Sequence, residues 1–124
     1  MKILTIIARV LLGLAFVVFG ANFIFNFFNM GSPPPGLAGD YFRALSQSGY
    51  LYAVGAAELI GGLLVLTGFF VPLGLTILAA VIFNIWAFHL FMAPHDLFPA
   101  IVAAILELYL VWSYRERFAG LLKP

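Results

Sequence analysis

The chain has 124 residues, of which 65% are hydrophobic and 9% are charged. Its mean hydropathy of +1.12 lies far outside the range of soluble domains and indicates a single membrane-embedded domain, residues 1–124. The net charge of +1 excludes a strongly basic surface for nucleic acid. Because the chain has no cysteine, disulfides, thiolate catalysis and cysteine-ligated metals are excluded, and we expect no metal site and no intrinsic cofactor.

Four apolar stretches predict four membrane-spanning helices. The first covers about residues 3–29, which is too long for the apolar region of a signal peptide, and a proline-rich stretch at 31–36 ends it. The other three cover about residues 50–70, 74–92 and 98–114.

The first outer loop contains a short amphipathic segment that predicts a helix along the membrane surface. We expect Asp40 to cap this helix at residues 41–48 and Gly49 to end it. The predicted fold is therefore all-α, a transmembrane four-helix bundle with a short interfacial helix in the first outer loop. Lys2 and the basic tail outnumber Arg43 in the opposite loops, so the positive-inside rule predicts that both termini are cytoplasmic.

Glu58 is a carboxylate within the apolar second span. An ionisable group at the bilayer centre costs roughly 2.5–3.5 kcal/mol, so we expect it to face other helices or a cavity. Gly55 and Gly62 lie at i−3 and i+4 on the same helix face, where they allow neighbouring backbones to approach closely. We therefore interpret Glu58 as the centre of a packed polar core, in which it either only holds structure or also carries a proton.

Polar residues on the other spans are expected to meet in layers. Counting about 1.5 Å per helical residue places Arg9 and Glu107 at one depth, which predicts a buried ion pair between them. The same count places Asn84 and His89 nearer the depth of Glu58. The polar residues coincide with small residues on stripes that should form the inner seams of the bundle, namely Arg9, Gly13, Phe16 and Gly20; Ala80, Asn84 and Ala87; and Ala100, Ala103, Ala104 and Glu107.

Two histidines and three asparagines need a separate interpretation. Asn22, Asn26 and Asn29 are expected to serve the interface end of the first helix, and Asn22 is also a candidate for a ligand or proton site. His95 belongs to an outer loop, so it does not match His89 in depth and a bis-histidine haem within one chain is not expected.

Two stretches resemble the first two spans of the DoxX/DoxD family. They are residues 9–20, with Arg9, Gly13 and Gly20, and residues 57–68, which begin Ala-Glu-Leu-Ile-Gly-Gly. The family's lysine three residues after the last glycine of the first motif is replaced by Phe23, so no role of that lysine carries over. The resemblance implies a multi-pass protein of the bacterial inner membrane. Some members are subunits of thiosulfate:quinone oxidoreductase or of another membrane redox complex, whereas other relatives act in assembly.

Three functions remain open, and whether the chain is itself an enzyme is undecided. The first is an accessory or quinone-interacting subunit of a membrane redox complex, with a redox protein as partner. Its ligand or proton site would draw on Glu58, His89, Asn84 and Asn22. The second is a non-catalytic assembly or binding module with a purely structural polar core. The third is a small transporter, for which a homo-oligomer would have to build the aqueous path. In each case the lipid bilayer surrounds the protein, and no nucleic-acid partner is expected.

Overall fold

The computed structural model describes residues 2–28, 31–94 and 96–123. Within these ranges the chain is helical and contains no strand, which confirms the all-α fold. The helices are α1 (Lys2–Phe25), α2 (Leu37–Ser48), α3 (Tyr50–Thr67), α4 (Val71–Met92), α5 (Phe98–Ser113) and α6 (Arg115–Phe118), followed by a 3₁₀ turn, Ala119–Leu122. The expectations for Asn29 and His95 concern positions outside the described residues.

Three helices in the described ranges, α1, α3 and α4, are each long and apolar enough to cross a membrane. Helix α5 has 16 residues. At about 1.5 Å per residue it is about 24 Å long, somewhat shorter than a hydrocarbon core of about 30 Å. Helix α5 is long and apolar enough to cross a membrane only if it is counted together with the segment Arg115–Leu121. The two pieces are bent by 81° relative to each other. The bundle therefore has three or four spans.

Helix α1 ends at Phe25, before the prolines that were expected to stop it. Asn26 takes a left-handed conformation with φ 55°, which asparagine tolerates better than most residues. Its backbone N–H still donates to the carbonyl oxygen of Asn22 at 2.8 Å. The carboxamide oxygen of Asn22 then accepts the N–H of Phe28 at 2.9 Å, so Asn22 and Asn26 close the C-terminal end of α1 as expected.

Helix α2 begins at Leu37, four residues earlier than expected, because Gly36 rather than Asp40 is its N-cap residue. Asp40 lies in the first turn, where its carboxylate pairs with Arg43, three residues later. The helix ends at Gly49, as predicted. Tyr41 and Phe42 of α2 pack against one ring of α4, with both centroids 5.2 Å from that of Phe88. This contact fixes the short helix against the end of the bundle.

The turn between α3 and α4 has the predicted length of three residues but lies three residues earlier, at 68–70 instead of 71–73. Helix α4 begins at Val71 rather than at Gly74. A proline lies in its first turn, where the N–H group that proline lacks would have no acceptor within the helix. The core of the bundle lies between α1, α3, α4 and α5, and its most completely buried side chains are Leu12, Val65, Val71, Leu75, Leu78 and Leu110.

Candidate functional site

The site is built on the crossing of α1 and α3, where two backbones touch through glycine. A Cβ atom added to Gly20 would lie 2.6 Å from the amide nitrogen of Leu59 and 2.7 Å from the carbonyl oxygen of Gly55. A Cβ added to Gly62 would lie 2.9 Å from the carbonyl oxygen of Gly13. Such distances leave no room for any side chain. The glycine faces predicted from the sequence thus meet each other, and they bring Glu58 into the seam.

Glu58 lies inside this seam with 4% of its surface exposed. Its Cβ atom is 3.0 Å from where a Cβ of Gly20 would be, so α1 covers it directly. Among the described residues its carboxyl group makes no hydrogen bond and no ion pair. The predicted burial of this acid is correct, whereas none of its expected polar partners bonds to it within the described residues.

Glu107 is a second acid buried inside the bundle, with 5% of its surface exposed. Both of its carboxyl oxygens are fully enclosed and have no hydrogen-bond partner among the described residues. It follows the buried Ala100 and the half-buried Ala103 and Ala104 on one face of α5, as the sequence predicted. The expected partner of Glu107, however, is engaged elsewhere.

Arg9 holds the end of α3 instead of pairing with Glu107. Its Nε donates to the carbonyl oxygen of Val65 at 2.9 Å, and its Nη2 donates to that of Leu66 at 3.4 Å. The last carbonyl groups of a helix have no partner within the helix, and the negative end of the helix dipole favours a cation there. The ion pair inferred from equal depth is therefore wrong, because the guanidinium group satisfies these carbonyls.

Asn84 does not belong to an inner seam. It is exposed on the outer side of α4 and donates to the carbonyl oxygen of Ala80 in its own helix at 3.2 Å. The inner side of α4 carries large residues, and Leu78 fits against Gly61 of α3, whose added Cβ would lie 2.9 Å from Leu78 Cδ2. A seam needs small residues on only one of its two helices. The expected inward stripe of α4 is therefore wrong.

His89 also lies apart from Glu58. Its Nδ1 is 3.3 Å from the carbonyl oxygen of Ala93, so it completes the last turn of α4. Since Gly61 faces Leu78 and the two helices are antiparallel, Glu58 is level with about residue 81 of α4. His89 is then about 12 Å farther along the helix. The predicted layer containing both residues does not form.

The comparisons agree with this architecture. A sequence profile of the DoxX family matches residues 4–91, well over half of the chain. The chain belongs to the DoxX family. No curated protein and no solved structure matches it. In this DoxX protein the match covers α1 to α4, including Arg9 and Glu58, whereas Glu107 lies beyond it.

Sequence reasoning missed a set of hydroxyl groups in this DoxX protein, at the end where α1 begins and α5 ends. Thr5 Oγ1 is 3.2 Å from the hydroxyl oxygen of Tyr109, and it donates to Ser113 Oγ at 3.5 Å. Tyr109 and Ser113 are four residues apart and therefore share one face of α5. That spacing could have indicated the face of α5 that meets α1.

Proposed function

We propose that this DoxX protein is an accessory subunit of a membrane redox complex, in which Glu58 exchanges the proton that accompanies electron transfer to or from a quinone. The observation that carries the proposal is the burial of Glu58 in the α1–α3 seam without a partner among the described residues. A lone acid inside a membrane protein is a candidate functional site because its burial is costly. The family and the apolar helices support an integral membrane protein.

The polar residues divide into two groups, and this division favours the proposal. Arg9, Asn22 and His89 each bond to backbone groups near the end of a helix, so structure alone explains them. Glu58 and Glu107 make no such bond among the described residues, and a buried acid without a partner stabilises nothing. Function is therefore the better explanation for the two acids.

The proposed proton exchange requires one group of this chain, the carboxyl group of Glu58. A neutral carboxyl group can donate a hydrogen bond to a quinone carbonyl oxygen and pass its proton to that oxygen on reduction. The electrons would come from a redox partner, since the chain has no cysteine to ligate a cluster. Glu58 would then regain a proton from water, while Glu107 is a second acid that can hold a proton in the same bundle.

A second candidate function, a non-catalytic assembly or binding module, is favoured by the exposure of Asn84. A carboxamide on the outer face of a membrane helix meets lipid unless another helix covers it. Across helices, asparagine side chains form hydrogen bonds that hold spans together. We place the contact with a partner subunit, or with a second copy of the chain, on this face of α4, and both candidate functions use it.

Glu58→Gln is expected to weaken binding of decylubiquinone roughly tenfold, because an amide N–H is a weaker hydrogen-bond donor to the quinone oxygen than a carboxylic O–H. The amide has nearly the same shape as the carboxyl group, so the helix content should not change. Binding is measured by quenching of tryptophan fluorescence in the protein reconstituted in nanodiscs, and helix content by circular dichroism.

The matched control is Glu116→Gln, which changes an exposed acid outside the bundle core and should bind like the parent. If Glu58→Gln binds decylubiquinone as tightly as the parent, the proton-exchange mechanism is wrong. If the parent does not bind it at all, the assembly function is the better one.

We also propose that the protein lies in the bacterial inner membrane with both termini in the cytoplasm. Because the chain has no cysteine, single-cysteine variants report on orientation directly. Ser32→Cys, in the exposed loop after α1, should react with an impermeant maleimide in intact spheroplasts. Lys123→Cys should react only after the membrane is opened. The reverse pattern would show the opposite orientation.

A further inference from the structure

A cationic groove lies between the first turns of α1 and the last turn of α5, at the end of the bundle opposite to α2. Its volume is about 370 Å³, and it is open on one side. Its lining consists of Lys2, Thr5, Ile6, Arg9, Ser113, Tyr114 and Arg115. Three of these side chains are cations and none is an acid, so the groove suits an anionic group.

Two of the cations are held in place and keep donors for a ligand. Arg9 donates hydrogen bonds from Nε and Nη2 to carbonyl oxygens of α3, so its Nη1 group remains available to a ligand. Arg115 uses Nη1 on the carbonyl oxygen of Trp112, and its guanidinium carbon lies 4.6 Å from the centre of the Trp112 ring. A guanidinium group fixed by packing loses little further freedom when it binds. Lys2 completes the set as an exposed ammonium group.

Hydroxyl groups add neutral donors beside the cations. Thr5 and Ser113 line the groove and are hydrogen-bonded to each other at 3.5 Å, and Thr5 also meets the hydroxyl of Tyr109 at 3.2 Å. Arginine, lysine and short hydroxyl side chains are the usual partners of phosphate oxygens. The lining therefore matches a phosphate group better than a lone carboxylate.

We propose that the cationic groove binds the phosphate group of an anionic membrane phospholipid. The groove follows α1 from Lys2 to Arg9, which spans about 10 Å, so it runs from the end of the bundle toward the apolar interior. The side chain of Ile6 lines it and is 49% exposed, which provides an apolar wall for an acyl chain. Basic pockets between membrane helices are typical sites for anionic lipid head groups. A soluble phosphate would need no such apolar wall.

The test compares two double variants that remove the same charge at the same end of the protein. Lys2→Gln with Arg115→Gln removes two groove cations, whereas Arg117→Gln with Lys123→Gln removes two cations outside the groove. Binding of phosphatidylglycerol to each protein in neutral detergent is titrated by native mass spectrometry. We expect the groove variant to bind at least tenfold more weakly than the parent and the outer variant to bind within threefold of it.

Arg9 is left unchanged, because it holds the end of α3. If the groove variant loses helix content, Arg115→Gln alone repeats the comparison against Arg117→Gln alone. Equal binding by parent and groove variants would overturn the proposal, as would equal losses in the groove and outer variants. Glycerol phosphate is titrated separately, and if it binds as tightly as phosphatidylglycerol, the lipid is not the ligand.

Discussion

Gly20→Ala is expected to destabilise the protein by about 3 kcal/mol, because the added methyl group has no space in the α1–α3 seam. Its Cβ atom would lie 2.6 Å from the amide nitrogen of Leu59 and 2.7 Å from the carbonyl oxygen of Gly55. Both are backbone atoms, so the clash can be relieved only if the helices separate. Alanine favours a helix over glycine by about 1 kcal/mol, which offsets only part of this loss. Unfolding in mixed detergent and dodecyl sulfate, followed by circular dichroism, measures the change.

The chain offers two matched controls for this substitution. At Gly120 nothing lies within 4 Å of an added Cβ, so Gly120→Ala should change the free energy of unfolding by less than about 0.5 kcal/mol. At Gly61 the atoms closest to the added Cβ belong to the Leu78 side chain, which can shift, so Gly61→Ala should lie between the two. If Gly20→Ala is as stable as Gly120→Ala, α1 does not pack this closely over Glu58. The burial of Glu58 in the α1–α3 seam, on which the candidate site depends, would then be wrong.

The α1–α3 seam could be predicted from the sequence because glycines three, four or seven residues apart share a helix face. Gly13 and Gly20 on one span, and Gly55 and Gly62 on the other, have this spacing, and all four are buried. The same rule failed for α4. There the small and polar stripe containing Asn84 faces outward, since Leu78 and its bulky neighbours fill the space beside Gly61. Whether a small face or a large face turns inward depends on the helix opposite, which periodicity within one span does not reveal.

The candidate site shows the same limit. The cost of burying a charge in lipid and the glycines on the same helix face placed Glu58 inside the bundle correctly. Partners depend instead on where neighbouring helices end. Arg9 meets the carbonyl groups of Val65 and Leu66 only because α3 stops at Thr67, roughly two and a half turns short of the level at which α1 begins. Likewise, His89 bonds to Ala93 because α4 ends there. Those end points depend on turn geometry and helix register, so sequence spacing alone could not show that Glu58 lacks a partner.

Arg9→Met is expected to destabilise the protein by about 3 kcal/mol, because the carbonyl oxygens of Val65 and Leu66 lose their donor in an apolar setting. Methionine keeps much of the packing volume and removes only the guanidinium group. Arg9→Lys should recover less than half of this loss, since one ammonium group cannot reproduce the two directed bonds. Arg43→Met, at an exposed position on α2, is the control and should change stability by less than about 0.5 kcal/mol.

A double-mutant cycle of Arg9→Met with Glu107→Gln separates the two interpretations of Arg9. If the arginine holds the end of α3, its loss leaves Glu107 as it was, and the two effects should add within about 0.5 kcal/mol. If the residues formed a buried ion pair, removing one partner would expose the other as a lone charge, and the coupling energy would exceed about 2 kcal/mol. Additive effects would also strengthen the proposed role of the acids. Glu107 would then be a buried carboxyl group without Arg9 as a partner, in the same bundle as Glu58.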